Sequence, residues 1–95
     1  MYERILQQFH DRIRSLNYVV TLHAEEEMDE DGFSVFDLES AVLTGEIVDR
    51  QRDRLTREWK YVMNGRGVDR STVGTVGKLS ITGCLVKITV YRAQP

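Results

Sequence analysis

The basic side chains in the second half of the sequence are the first candidates for chemistry. Four arginines recur between residues 50 and 57, in a span with almost no apolar content. Such a span predicts a mobile basic loop, and the forked guanidinium group matches the oxygens of a phosphate in pairs. A solvent-exposed hairpin tip without a ligand is an equally good interpretation. The residues expected to contact phosphates are Arg50, Arg52, Arg54, Lys60 and Arg66.

A second group has the chemistry of proton transfer and charge stabilisation. Strand alternation places Lys87 and Tyr91 on one side of the last predicted strand, and Lys60 and Lys78 fall on the polar side of earlier strands. Simple register would gather these groups, with Thr89, on one cationic sheet face. Ordinary solvent-facing residues would give the same pattern. The candidate catalytic residues are His23, Lys78, Lys87 and Tyr91.

Metal and cofactor motifs are weak in this sequence. His23 and Glu27 are four residues apart and would share a helix face, but no third ligand is evident. A histidine that bonds locally at a helix start explains the pair as well. The run after Glu27 imitates a calcium loop and fails at its twelfth position, which is Leu38. With Cys84 as the only cysteine, we expect no metal and no cofactor.

Charge is distributed very unevenly along the chain. Residues 23–49 contain ten carboxylates and no lysine or arginine, whereas residues 50–95 contain ten basic residues against three acidic ones. A basic surface that holds polyanions and an acidic surface that faces elsewhere would explain this division. Mutual neutralisation across the fold would explain it too. A third interpretation is a non-catalytic binding module, in which the acidic helix over residues 25–31 docks a basic partner protein.

Hydrophobic periodicity predicts helices followed by a sheet. Ser34 is a suitable helix N-cap, because Asp37 stands at the distance of a capping box. Short links between the later strands favour antiparallel pairing. We therefore expect an α+β fold with N-terminal helices on one face of a mostly antiparallel four-stranded sheet. The predicted elements are helices over 2–16, 23–30 and 35–44, a short strand or extended link over 18–22, and strands over 46–50, 58–64, 72–82 and 85–92.

The length of the chain predicts a single domain over residues 1–95, with an N-terminal helix over 1–17 and an α+β core over 18–92. The longest stretch without a charged side chain, residues 15–24, is much shorter than a membrane-spanning helix requires. The first fifteen residues lack the apolar centre of a signal peptide. These features lead us to expect a cytoplasmic protein that makes no membrane contact.

Several short motifs from residue 23 onward resemble the bacterial domain-of-unknown-function family 4258. They are HAEEEM at 23–28, FSVFDLE at 33–39, TGEIV at 44–48 and the closing LVKITVY at 85–91. This resemblance implies a fold related to that of the RelE-type toxins, which cut mRNA and are silenced by a bound antitoxin. It therefore implies mRNA as substrate and an antitoxin protein as partner. Many family members carry arginine where this chain has Glu27 and Asp31.

The leading expectation is therefore a toxin-like, metal-independent mRNA endoribonuclease. The basic residues named above would hold the RNA backbone, and Lys78 and Lys87 would stabilise the charge that develops on the phosphorane. His23 is the candidate proton carrier, because only histidine has an unperturbed pKa near neutrality. Tyr91 would act as an acid, a base or a stacking surface for a nucleobase.

Overall fold

The computed structural model describes residues 1–93, which form three helices and a five-stranded sheet. The helices lie near the predicted positions, and the last four strands follow them in the predicted order. In the described residues, no helix is long and apolar enough to cross a membrane. The elements are α1 (Glu3–Arg14), β1 (Tyr18–Val20), α2 (Leu22–Asp31), α3 (Val35–Thr44), β2 (Glu46–Arg52), β3 (Trp59–Arg66), β4 (Thr72–Leu79) and β5 (Leu85–Arg92).

Side-chain caps fix where α2 and α3 begin. The Thr21 hydroxyl accepts a hydrogen bond from the Ala24 amide at 3.1 Å and so caps α2. At α3, the Ser34 side chain and the Asp37 carboxylate each accept a bond from the other's amide, so the predicted capping box is confirmed. Each cap satisfies an amide that the first helical turn leaves without a partner. Gly32 closes α2 in the left-handed conformation, with φ of 73°.

The sheet has five strands and mixed pairing, so the expectation of a four-stranded sheet was wrong. The strand order is β1-β5-β4-β3-β2, in which the last four strands pair antiparallel and β1 pairs parallel to β5. Residues 18–22 are β-branched enough for a strand or an extended link, and local sequence does not decide between them. Tyr18–Val20 becomes a strand because it lies against Leu85, Val86 and Lys87, which are distant in sequence.

The three helices bury their apolar side chains against one face of the sheet. Phe9 and Ile13 come from α1, and Ala24 and Met28 come from α2. The α3 helix crosses β3 where a glycine removes the side chain: a β-carbon at Gly65 would lie 1.9 Å from a carbonyl oxygen of that helix. Close approach of the helix to the sheet therefore requires glycine at this position. The other buried apolar residues are Phe33, Leu38, Ala41, Val42, Tyr61, Met63, Val73, Leu85 and Val90.

Within residues 1–93, no helix covers the opposite face of the sheet, which we call the open face. The residues that alternate with the core positions of the strands lie on it, and they are half-buried or exposed apart from Gly74. The ring of Tyr91 covers Gly74, since a β-carbon at Gly74 would lie 2.3 Å from the Tyr91 Cζ. The side chains of the open face include Lys60, Val62, Asn64, Val76, Lys78, Val86, Thr89 and Tyr91.

A β-bulge at Ile88 interrupts the alternation of side chains between the two faces of the sheet along β5. Val76 pairs with Thr89, but the next residue, Gly77, pairs with Lys87, so Ile88 has no partner on β4. The extra residue reverses the alternation on one side of it. Thr89 therefore lies on the open face while Lys87 points into the core. The open face therefore carries Lys60 and Lys78 but not Lys87, and the prediction that Lys87 lies on it was wrong.

Candidate functional site

The β2–β3 hairpin holds two arginines against one tryptophan. Arg52 pairs with Trp59 across the two strands, and Arg50 pairs with the next residue, Tyr61. The guanidinium carbons of Arg50 and Arg52 lie 4.0 and 4.4 Å from the Trp59 ring centroid. Both distances are within the range of a cation–π contact. The half-buried indole thus orders two exposed guanidinium groups that would otherwise move freely.

The tip of this hairpin adds two more arginines. Arg54 and Arg57 are exposed, and together with Arg52 and Asp53 they line a shallow depression of about 260 Å³. The Asp53 carboxylate accepts hydrogen bonds from the amides of Leu55 and Thr56 at the turn. These amides hold the pKa of Asp53 below its usual value. The carboxylate is therefore used to shape the turn.

The hairpin arginines are free of carboxylate partners. Among residues 1–93, no ion pair within 4.0 Å involves Arg50, Arg52, Arg54 or Arg57. Each guanidinium group has five N–H donors, and the planar fork suits phosphate or carboxylate oxygens. We call these four residues with Trp59 the arginine cluster. Its chemistry is that of an anion-binding surface at the end of the sheet.

The lysines of the open face have carboxylate partners. Lys78 Nζ lies 3.0 Å from Glu58 Oε2, and Lys60 Nζ lies 3.9 Å from Asp53 Oδ2. Both lysines are half-buried, and much of their charge is balanced. Tyr91 lies on this face over Gly74, four residues along β4 from Lys78, which is about 13 Å in a strand. The open face therefore contains the predicted groups without gathering them around one point.

Lys87 lies on the other side of the sheet, beneath α1. Its side chain is fully buried, and Nζ donates to Thr75 Oγ1 at 3.0 Å and to Met63 Sδ at 3.8 Å. Burial away from water lowers the pKa of Lys87 to about 7. No solvent-exposed ligand can reach this amine in the folded arrangement.

His23 lies on the first turn of α2 and is exposed. Its Nε2 is 3.5 Å from Glu27 Oε1, and the same oxygen accepts the Val90 amide at 3.1 Å. Asp31 accepts the Arg92 amide at 3.1 Å in the same way, so two carboxylates of α2 bond to β5 beyond the end of β1. Glu27 and Asp31, at the positions where many members of the family carry arginine, therefore attach α2 to the sheet.

The structure thus brings together some of the predicted site residues and separates others. Arg50, Arg52 and Arg54 meet at the arginine cluster, and Lys60 is close to it through Asp53. Arg66 lies at the other end of β3, where its Nη1 donates to the Arg70 carbonyl oxygen at 3.3 Å. No recorded contact within residues 1–93 joins any two of the candidate catalytic residues His23, Lys78, Lys87 and Tyr91.

Two members of the arginine cluster were not among the predicted site residues. Arg57 belongs to the arginine run that the sequence displays, so its spacing was an available signal. The half-buried Trp59 ring packs against the edge of the core and also contacts two cations. In the sequence, only the alternation of side chains in β2 and β3 could have indicated that Trp59 contacts these arginines, and that inference also requires the pairing register of the two strands.

Metal ligation has little support around His23. No group of three or more histidine, cysteine, aspartate or glutamate side chains that could hold a metal ion occurs in the described part of the chain. His23 and Glu27 remain a pair. The second ligand candidate, Glu27, is already bonded to the β5 backbone.

Comparison with known proteins gives one match. No curated protein matches the chain, and no solved structure matches it. The family model described as "Domain of unknown function (DUF4258)" matches residues 20–92, which include every strand of the sheet except the start of β1. With most of its length inside that match, the chain belongs to the DUF4258 family.

Proposed function

We propose that this protein binds single-stranded RNA through the arginine cluster and acts as a toxin-like, metal-independent mRNA endoribonuclease. One observation carries the proposal: within residues 1–93 the four hairpin arginines have no carboxylate partner, and two of them, Arg50 and Arg52, lie over the half-buried Trp59 ring. Guanidinium groups grip phosphates in pairs and stack on rings, which suits a flexible single strand. A basic partner protein would be repelled by the same surface.

The proposal includes a fold relationship with the RelE-type toxins and an antitoxin protein as partner. Support comes from the α+β architecture, in which helices cover one sheet face and leave the other open. Membership of the DUF4258 family, over residues 20–92, adds to this support. Cytoplasmic mRNA would be the substrate.

Cleavage without a metal follows a known course. The 2′-oxygen of a ribose bonds to the adjacent phosphorus while the 5′-oxygen leaves with a proton, which gives a 2′,3′-cyclic phosphate. A base must remove the 2′ proton, an acid must supply the other, and cations must stabilise the phosphorane. His23, whose Nε2 lies 3.5 Å from Glu27 Oε1, and Tyr91, which lies over Gly74 on the open face, are alternative candidates for proton transfer, because no contact brings them together. Lys78 supplies a cation on the open face, where it pairs with Glu58.

Binding is the part of the proposal to test first. Trp59 is the only tryptophan, so its fluorescence should report RNA at the arginine cluster. Four phosphate contacts give a slope of log affinity against log salt of roughly −3 for a single strand, and two contacts give roughly half of it. Binding of a labelled 12-nucleotide RNA to the variant Arg50→Gln/Arg52→Gln should accordingly weaken about tenfold or more, with a shallower slope.

The matched control removes two charges elsewhere. Arg4→Gln/Arg14→Gln on α1 changes the net charge by the same amount at exposed positions. Equal weakening in both double variants would mean that only total charge matters, and the arginine cluster would lose its assignment. Cleavage is tested separately in the presence of EDTA: the wild type should release a cyclic phosphate, and whichever of His23→Gln and Tyr91→Phe removes the proton-transfer group should slow its release at unchanged RNA affinity.

One observation favours the second candidate function, a non-catalytic module that binds a basic partner. Two carboxylates of α2 bond to β5, but Glu25, Glu26, Asp29 and Glu30 are exposed on the same helix. They form an acidic surface apart from the arginine cluster. Expression of the chain alone distinguishes the two functions: an endoribonuclease should arrest growth and deplete mRNA, and a binding module should do neither.

A further inference from the structure

The environment of Lys87 Nζ is built partly by the sheet and partly by α1. The sheet supplies the Thr75 hydroxyl, the Met63 sulfur and the space above Gly77, where a β-carbon would lie 3.0 Å from Nζ. The α1 helix supplies Phe9, whose fully buried ring has its centroid 5.3 Å from Nζ. The amine is therefore sealed from water on one side by a helix.

The α1 helix is attached through one apolar stripe and two polar contacts. Phe9 and Ile13 are buried, and Ile5 and Leu6 pack half-buried against the same core. Two side chains bond to main-chain carbonyl oxygens outside the helix: His10 to Val42 and Arg12 to Gly83. The residues that connect α1 to β1 are exposed, and Leu16 there has a positive φ of 58°. The α1 helix also precedes the range that matches the family model.

We propose that α1 is a reversible cover, which leaves the sheet when the amine of Lys87 takes up a proton. An ammonium group has three N–H donors, and the closed arrangement offers one hydroxyl, one weak sulfur acceptor and the Phe9 ring at 5.3 Å, which is a weaker partner than an oxygen acceptor. A buried charge without full hydrogen bonding is strongly unfavourable, and water would supply the missing acceptors. The β3–β4–β5 ladders hold the sheet side in place, so α1 is the side that can move.

Other titratable groups on the surrounding elements are engaged away from Lys87. On α1, His10 Nε2 is 2.9 Å from the Val42 carbonyl oxygen. Tyr18 on β1 donates to Glu39 on α3 at 2.6 Å, and the ring of Tyr61 on β3 packs edge-to-face against Phe9. Among the described residues, no carboxylate forms an ion pair with Lys87. His10 is the α1 side chain that a separate control variant replaces.

Amide hydrogen exchange of the full chain, resolved by residue, tests the proposal. Because Lys87 has a pKa of about 7 when covered and about 10.5 when hydrated, the opening constant should rise as the pH falls from 9 to 7, and less steeply near pH 7. Protection factors of α1 amides, corrected for intrinsic exchange, should therefore fall about 50-fold from pH 9 to pH 7. At every pH they should stay well below those of β4 and β5, since opening of α1 leaves the sheet intact.

Two variants test whether Lys87, and not another group, causes the pH dependence of α1 protection. In Lys87→Met the protection of α1 should not vary with pH, whereas in His10→Gln the roughly 50-fold fall should persist. A fall that persists in Lys87→Met, or that is missing in the wild type, would overturn the proposal. So would equal protection of α1, β4 and β5 in the wild type, which would mean that α1 separates only when the whole domain unfolds. This last measurement needs no variant.

Discussion

Replacement of the buried lysine by methionine should change how stability depends on pH. Methionine is similar in length and apolar, so Lys87→Met removes the ionisable group while filling most of its space. Burial lowers the pKa of Lys87 from 10.5 to about 7. Between these values the unfolded chain holds a proton that the folded chain lacks. The free energy of unfolding of the wild type should therefore rise with pH across this window, since the unfolded state binds more protons.

The magnitude follows from the width of that window. One pH unit corresponds to about 1.4 kcal/mol, so the full rise from pH 7 to pH 10.5 amounts to about 5 kcal/mol. The cost of burying the amine is fully present below pH 7 and absent above pH 10.5. At pH 7, Lys87→Met should be more stable than the wild type by about 2–4 kcal/mol, because the Thr75 hydroxyl loses its partner and offsets part of the gain.

Urea unfolding between pH 6 and pH 9, followed by Trp59 fluorescence, measures both quantities. The wild type should gain about 2 kcal/mol from pH 7 to pH 9, and Lys87→Met should follow a flatter curve. The Tyr18 phenol does not interfere, because its bond to Glu39 and its burial raise its pKa to about 12. Lys60→Met, a change of the same kind on the open face, should keep the wild-type slope. Parallel curves for the wild type and Lys87→Met would refute the account of Lys87.

Two further predictions concern the packing of helices on the sheet. Glu27→Ala should lower the free energy of unfolding by about 1–2 kcal/mol, because it removes a half-buried carboxylate that accepts an amide of β5. Asp31→Ala should lower it by less than about 1 kcal/mol, because the hydrogen bond of Asp31 is exposed. Equal losses in urea titrations would contradict this order. Gly65→Ala should cost about 3 kcal/mol, because its β-carbon would overlap the α3 backbone, whereas Gly32→Ala, which has open space but a positive φ, should cost about 1 kcal/mol. A Gly65→Ala variant as stable as Gly32→Ala would mean that α3 moves away freely.

Local sequence signals were sufficient for the parts of the fold that depend on neighbouring residues. The Ser34–Asp37 capping box and the glycine after α2 lie within a few positions of the atoms they bond, so their roles are visible in the sequence. The antiparallel order of β2 to β5 follows from the short links between those strands. The parallel position of β1 depends on contacts with residues more than 60 positions away. No local pattern encodes such a pairing.

The candidate site was predictable in composition and much less in arrangement. The arginine run was evident, and the hairpin brings Arg50, Arg52 and Arg54 together as the phosphate hypothesis requires. Which cations are balanced by carboxylates depends on side-chain geometry, and this separates the open-face lysines from the arginine cluster. The position of Lys87 was missed for a specific reason: strict alternation cannot reveal a bulge one residue further along.

That bulge makes the length of β5 as important as its composition. Deletion of Ile88 alone would leave almost every side chain of the domain unaltered and restore a regular ladder to β4. The strand would then have to turn over on one side of the missing residue, so either the lysine would emerge into water or the tyrosine would be driven inward. An insertion or deletion at this point would therefore change the structure more than a substitution would. Relatives that differ by one residue here would expose different side chains on the sheet despite nearly identical sequences.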